Sequence, residues 1–95
     1  MPAVCRLGDQ GTGHGCYPAR PNDQGSPNVF VNGLPVHRQG DHWEDHCCGP
    51  ICHDGVLSQG SSTVFVNGKP IGRVGDPISC GSSVAEGSPN VFAGG

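Results

Sequence analysis

Gly25-Ser26-Pro27-Asn28-Val29-Phe30-Val31-Asn32-Gly33 occurs again as Gly60-Ser61-Ser62-Thr63-Val64-Phe65-Val66-Asn67-Gly68, and a third time as Gly87-Ser88-Pro89-Asn90-Val91-Phe92-Ala93-Gly94-Gly95. A second block, Arg-x-Gly-Asp, is also present three times, at Arg6–Asp9, Arg38–Asp41 and Arg73–Asp76. In the two internal copies Asn-Gly-x-Pro joins the blocks, and Gly25 to Gly60 and Asp41 to Asp76 both span 35 residues. A fixed period means one supersecondary unit used repeatedly. Val-Phe-Val is a short run of β-favoured residues, and Asn-Gly tolerates the positive φ of a tight hairpin turn. The closing Asp accepts backbone N–H groups, as Asx turns do. Each unit therefore reads as a β-hairpin.

The third unit is split: the chain opens on its second strand, Pro2 to Asp9, and closes on its first, Gly87 to Gly95. Pairing these two ends would close three equivalent hairpins around a pseudo-threefold axis and remove exposed sheet edges. The expected fold is all-β, a tapered cone of three hairpins. The connecting segments Asp9–Gly25, Asp41–Gly60 and Asp76–Gly87 would gather as loops at its apex. Residues 1–95 read as a single domain with no effector extension. An ordinary small β-sandwich is the alternative, but it gives no reason for the split repeat.

Composition explains why such a fold needs a staple. Val, Ile, Leu and Phe make up about a fifth of the 95 residues, and 17 Gly with 9 Pro make up over a quarter; both values border on those of disordered chains. Ordering the backbone costs roughly 1–2 kcal/mol per residue, which so thin a core does not offset unaided. Six Cys and five His are the available remedy. No apolar run reaches a membrane span, Met1 opens no signal peptide, and a net charge of −3 leaves no basic footprint for nucleic acid. Protonation of the five His in mild acid would erase that charge.

The connecting segments hold nearly all the His and Cys. The first carries His14 and Cys16, the second His42, His46, Cys47, Cys48, Cys52 and His53, and the third Cys80. Counted from the Asp of each repeat, His14 and His46 both stand at +5 and Cys80 at +4. Ligands recurring in register within a threefold body point at one spot. Three from three loops plus one from the long middle segment give the four-coordinate imidazole and thiolate set that suits a structural zinc ion. The candidate ligands are His14, His46, His53 and Cys80, with His42 as substitute; zinc is preferred to iron on ligand type.

The same residues allow blander readings. Cys16, Cys47, Cys48 and Cys52 could pair as disulfides, alone or beside a metal. His37 reads as a packing residue on a strand, Cys5 as a small buried apolar one. Trp43 and Tyr17 are expected to pack the loops over the metal, and the Arg and Asp of each repeat to form structural pairs. Two other function classes compete. A disulfide-framed secreted binding or toxin module predicts even Cys pairing and no metal; a zinc hydrolase predicts an open coordination position. Four available ligands argue against the hydrolase, and no nucleophile elbow, P-loop or dinucleotide fingerprint is present. The chain is expected not to be an enzyme.

Pro35-Val36-His37-Arg38 and Pro70-Ile71-Gly72-Arg73, each after Asn-Gly and leading into Gly-Asp, resemble the repeats of PAAR-repeat proteins. So do the Gly-Ser-x-x-Val-Phe strands and the closing Asp76-Pro77-Ile78-Ser79-Cys80-Gly81. The namesake alanines are replaced, and the Cys-rich middle segment leaves the choice between His46 and His42 open. The resemblance implies the zinc-stabilised conical tip of a contractile injection spike, in a bacterial type VI secretion system or a phage-like tail. It implies a homotrimeric spike protein of the valine–glycine-repeat (VgrG) type, or a phage central spike, at the broad base. It also implies separate effector cargo and transient contact with a target membrane, without nucleic acid. Such a part would be cytoplasmic before firing and then secreted on the spike tip, or a virion component.

Overall fold

The computed structural model describes residues 1–95 and is all-β, with eight short strands and no helix. The strands are β1 (Gln10–Gly11), β2 (Arg20–Pro21), β3 (Phe30–Val31), β4 (Leu34–Pro35), β5 (His42–Cys48), β6 (Ile51–Val56), β7 (Phe65–Val66) and β8 (Lys69–Pro70), paired in sequence as four antiparallel hairpins. In β3–β4 Phe30 faces Pro35, and in β7–β8 Phe65 faces Pro70. Asn32 and Asn67 sit at φ 55, followed by Gly33 and Gly68 at φ 77 and 76. This is the turn Asn-Gly favours, with left-handed backbone at both central positions.

The third hairpin forms from the chain ends. Ala3 bridges Phe92, the Val4 N–H donates to Val91 O at 3.0 Å, and the Ala93 N–H donates to Pro2 O at 3.0 Å. The three second strands then meet around an axis. Cys5 N–H donates to Gly72 O (2.8 Å), Gly72 N–H to His37 O (2.8 Å) and His37 N–H to Cys5 O (3.0 Å), which closes a cycle of hydrogen bonds. Two residues further on, Leu7, Gln39 and Val74 donate to Pro35, Pro70 and Ala3 in a second cycle of 2.8–2.9 Å bonds. No strand edge is left open along this ring, so the backbone groups at the axis are satisfied by one another.

Side chains repeat the symmetry. In each unit the Arg side chain grips the Asp three residues on with two N–H donors, and the same Asp accepts the Arg backbone N–H. Asn67 Oδ1 accepts from Arg38 and Ser26, and Asn32 Oδ1 accepts from Arg6 and Ser88. At the third junction, where the repeat has Gly in place of Asn, the Gly94 backbone carbonyl accepts from Arg73 and Ser61 instead. A main-chain oxygen thus stands in for the missing amide.

Two small apolar layers follow from this arrangement. Val4, Val36, Val66, Ile71 and Ala93 pack within the hairpin ring; Cys5, Trp43, Leu57, Ile78 and Val84 form a layer with the connecting segments. The body measures 37 × 24 × 22 Å. The connecting segments are not all loops. The middle one folds into the longest hairpin of the molecule, β5–β6, turning at Gly49 (φ +62) with Cys47 opposite Cys52 and a register irregularity between Trp43 and His46. Only Trp43, His46 and Gly55 of its two strands are buried, so the apolar alternation that announces a strand is missing from the sequence.

Candidate metal centre

Each candidate ligand is placed by a different local device. His14 sits in a turn where it exchanges two backbone hydrogen bonds with Tyr17, at 3.0 and 2.9 Å. His46 and His53 are directly opposed across β5 and β6. Cys80 lies in the segment after the last Arg–Asp clamp, where Gly81 turns the chain at φ +104 and donates to Ile78 O. Disulfides join Cys16 to Cys48 and Cys47 to Cys52. Each of the three histidines therefore stands within two residues of a half-cystine, so the crosslinks fasten the segments that carry them.

These four side chains converge. The ring nitrogens of His14, His46 and His53 and the sulfur of Cys80 lie within 4.8 Å of one another, a cluster able to hold a metal ion. His53 Nε2 is 3.1 Å from His14 Nε2 and 2.7 Å from His46 Nε2. Around a tetrahedral zinc ion with bonds of 2.0–2.1 Å, neighbouring nitrogens would stand about 3.3 Å apart. The donor set fits a cation on chemical grounds as well. His46 Nδ1 donates to Pro18 O at 2.8 Å, which fixes its proton there and leaves Nε2 as a bare lone pair facing another ring nitrogen. That lone pair is the one with which His46 can ligate a cation.

The surroundings favour the ligating forms. Burial, and then the neighbouring His46, His53 and Arg20, push the His14 pKa down and so favour the neutral ring. Burial opposes ionisation of Cys80, but hydrogen bonds with Ser82 and the guanidinium of Arg20 outweigh it and bring the thiol below its usual range. The Tyr17 ring covers the histidines, with centroids 4.2 Å from His53, 4.9 Å from His14 and 5.0 Å from His46.

Other singled-out residues fall elsewhere. His42 is outside the cluster: its Nδ1 lies 2.6 Å from Asp23 and its Nε2 2.9 Å from Asp54. Trp43 does not cover the cluster as Tyr17 does. It is fully buried in the second apolar layer, edge-on to His37, because the middle segment turns it inward toward Leu57 and Ile78. His37 and Cys5 are buried at the axis, and their backbones belong to the hydrogen-bonded ring. Four cysteines pair and two remain thiols, Cys5 and Cys80, which departs from the even pairing of a purely disulfide-framed module. Arg20, unremarked in the sequence, stands beside the cluster. The signal was available by subtraction, since it is the one Arg of four that no Gly-Asp follows.

A family model described as PAAR motif matches residues 12–86. None of the curated proteins matches the chain.

Proposed function

Because the chain belongs to the PAAR-motif family, we propose that it is the sharpening tip of a contractile injection spike, a mechanical part rather than a catalyst. Its apex is stapled by a zinc ion on His14, His46, His53 and Cys80. Its base caps a homotrimeric spike protein of the valine–glycine-repeat type and assists envelope puncture. Cargo would be a separate effector, and the tip would leave the cytoplasm with the spike.

One observation carries the docking half of this reading. Phe30, Phe65 and Phe92 occupy equivalent places in the three hairpins and are 51%, 56% and 50% exposed. Val29, Val64 and Val91 beside them are also exposed, though less so, at 36%, 36% and 37%. Large apolar side chains left in water at symmetric positions call for a partner, and a single chain with three equal contacts suits a true trimer. Strand addition at the hairpins would continue the spike's β-structure through backbone hydrogen bonds.

Purified chain mixed with its cognate spike trimer at micromolar concentration should elute as one complex of one chain per trimer. Replacing Phe30, Phe65 and Phe92 together by Asp should abolish that complex while leaving metal content unchanged. Absence of any complex with the unaltered chain would sink the docking reading; metal-free protein after purification in zinc-containing buffer would sink the staple.

A further inference from the structure

We propose that Arg20 is the positioning residue of the metal centre: its guanidinium aims the Cys80 sulfur at the three imidazoles and supplies its outer hydrogen bond. The inference rests on the reading of His14, His46, His53 and Cys80 as ligands.

Three of the four arginines are matched to an Asp of their own repeat. Arg20 has no carboxylate. Its Nε–H donates to Glu44 O at 2.6 Å, its Nη2–H donates to Cys80 Sγ at 3.0 Å, and its Nη1 has no partner, although the residue is only 4% exposed. A buried cation without an anion is costly, and among its bonding partners the Cys80 sulfur is the one that can carry negative charge. The placement is built from several sides. The guanidinium lies over the Trp43 ring, 5.4 Å from its centroid. Gly55 of β6 leaves the room: a Cβ there would stand 3.3 Å from Arg20 Nη2 and 3.4 Å from Cys80 Sγ. The Ser82 hydroxyl, 3.4 Å from Sγ, completes the sulfur's surroundings.

The fork geometry matters. One planar group reaches both the Glu44 carbonyl and the sulfur, which fixes the direction of its N–H toward Cys80; a lysine ammonium is a flexible point charge and cannot hold both. An N–H donated to a metal-bound thiolate lowers the energy of the sulfur lone pairs and locks the ligand's orientation. Loss of such an outer partner typically weakens metal binding 10- to 100-fold.

Cobalt(II) is the probe, because a thiolate ligand gives a sulfur-to-cobalt charge-transfer band in the near ultraviolet. The unaltered chain should show that band with tetrahedral visible bands, and Cys80→Ser should lose the charge-transfer band alone. Arg20→Met should move the band to lower energy and weaken cobalt binding, by competition with a chromophoric chelator, by about 10- to 100-fold. Arg20→Lys should recover part of both. In a Cys80→Ser background, Arg20→Met should change cobalt affinity by less than about twofold. If Arg20→Met does not fold, Arg20→Gln, which can still donate to Glu44 O but carries no charge, is measured the same way. A folded charge-neutral variant whose band and affinity are those of the unaltered chain overturns the role of Arg20. A missing charge-transfer band in the unaltered chain instead overturns the ligand reading.

Discussion

Asp41 has no exposed side-chain surface, yet it holds the Arg38 side chain through two bonds of 2.9 and 3.0 Å and accepts the Arg38 backbone N–H. Removing one partner of such a pair strands the other charge in a dry site, typically at about 3–5 kcal/mol. Asp41→Ala should therefore cost about that much in urea denaturation, and more than Asp9→Ala or Asp76→Ala, whose pairs are less sealed. Equal losses at the three positions would contradict the ranking. These clamps were legible because Arg-x-Gly-Asp repeats. Arg20 is marked only by the Gly-Asp it lacks; its partners, a backbone carbonyl and a sulfur brought from sixty residues away, have no local pattern that encodes them. His42 shows a further residue-scale effect. Both of its ring nitrogens face carboxylates, so both must donate, and the bonds to Asp54 and Asp23 raise its pKa above 6.5. A raised folded value means stability fully present below the unfolded value near 6.5 and lost as pH climbs through the folded one. The stability difference between the unaltered chain and His42→Gln should shrink as pH rises from 6 to 9, and shrink further in salt because the pair is exposed. Both proteins share the same candidate ligands, so metal effects cancel in the difference; a pH-independent difference would refute the assignment.

Among elements, the hairpins and the apical segments differ in how well they announce themselves. Asn-Gly between β-favoured residues is a local signal, and the register of β3–β4 and β7–β8 follows from it. The closing pair Ala3 and Phe92 was accessible only by aligning the split repeat with the intact ones. The middle hairpin gave no such notice. Its long strands carry His, Asp, Glu and Cys where apolar residues would alternate, and they are held by Cys47–Cys52 and by packing of Trp43 below. Its one local signal is the Gly49-Pro50 turn, and counting outward from it sets His46 opposite His53. Two glycine substitutions separate turn chemistry from axial packing. At Gly33 an added Cβ meets nothing, but φ is +77, so Gly33→Ala should cost about 1–2 kcal/mol in backbone strain alone. At Gly72 the Cβ would stand 2.7 Å from Leu57 Cδ2 and 3.0 Å from the His37 carbonyl, inside the hydrogen-bonded ring. Overpacking there costs about 1–3 kcal/mol in ordinary cores, and rigid backbone on one side places Gly72→Ala at the upper end. Thermal denaturation of the two variants checks the order, and a Gly72→Ala variant as stable as Gly33→Ala would show that the axis yields more readily than its hydrogen-bond cycle implies.

The whole molecule is secured at two levels by different means. Around the axis lie paired backbone groups and three Arg–Asp clamps; at the apex, two disulfides tie together the segments that carry the His14, His46, His53 and Cys80 cluster. A structural zinc ion is worth roughly 10 kcal/mol or more in small domains that depend on it, and a disulfide typically about 2–4 kcal/mol. Because the crosslinks fasten the same segments that carry the histidines, a metal held by them would restrain the same parts of the unfolded chain as the disulfides, and the two contributions should not simply add. Removing the metal by chelation should then lower the melting temperature of the oxidised protein without unfolding it. Chelation combined with a non-thiol reductant should lower it much further. Hydrogen exchange should locate the difference: in the reduced, metal-free protein the amides of the β5–β6 ladder lose protection first, while those of Cys5, His37 and Gly72 keep it longest. Unchanged melting on chelation in both redox states would remove any structural role for a metal. Simultaneous loss of protection at apex and axis would instead make the molecule a single cooperative unit, with the hairpin ring dependent on the staple above it.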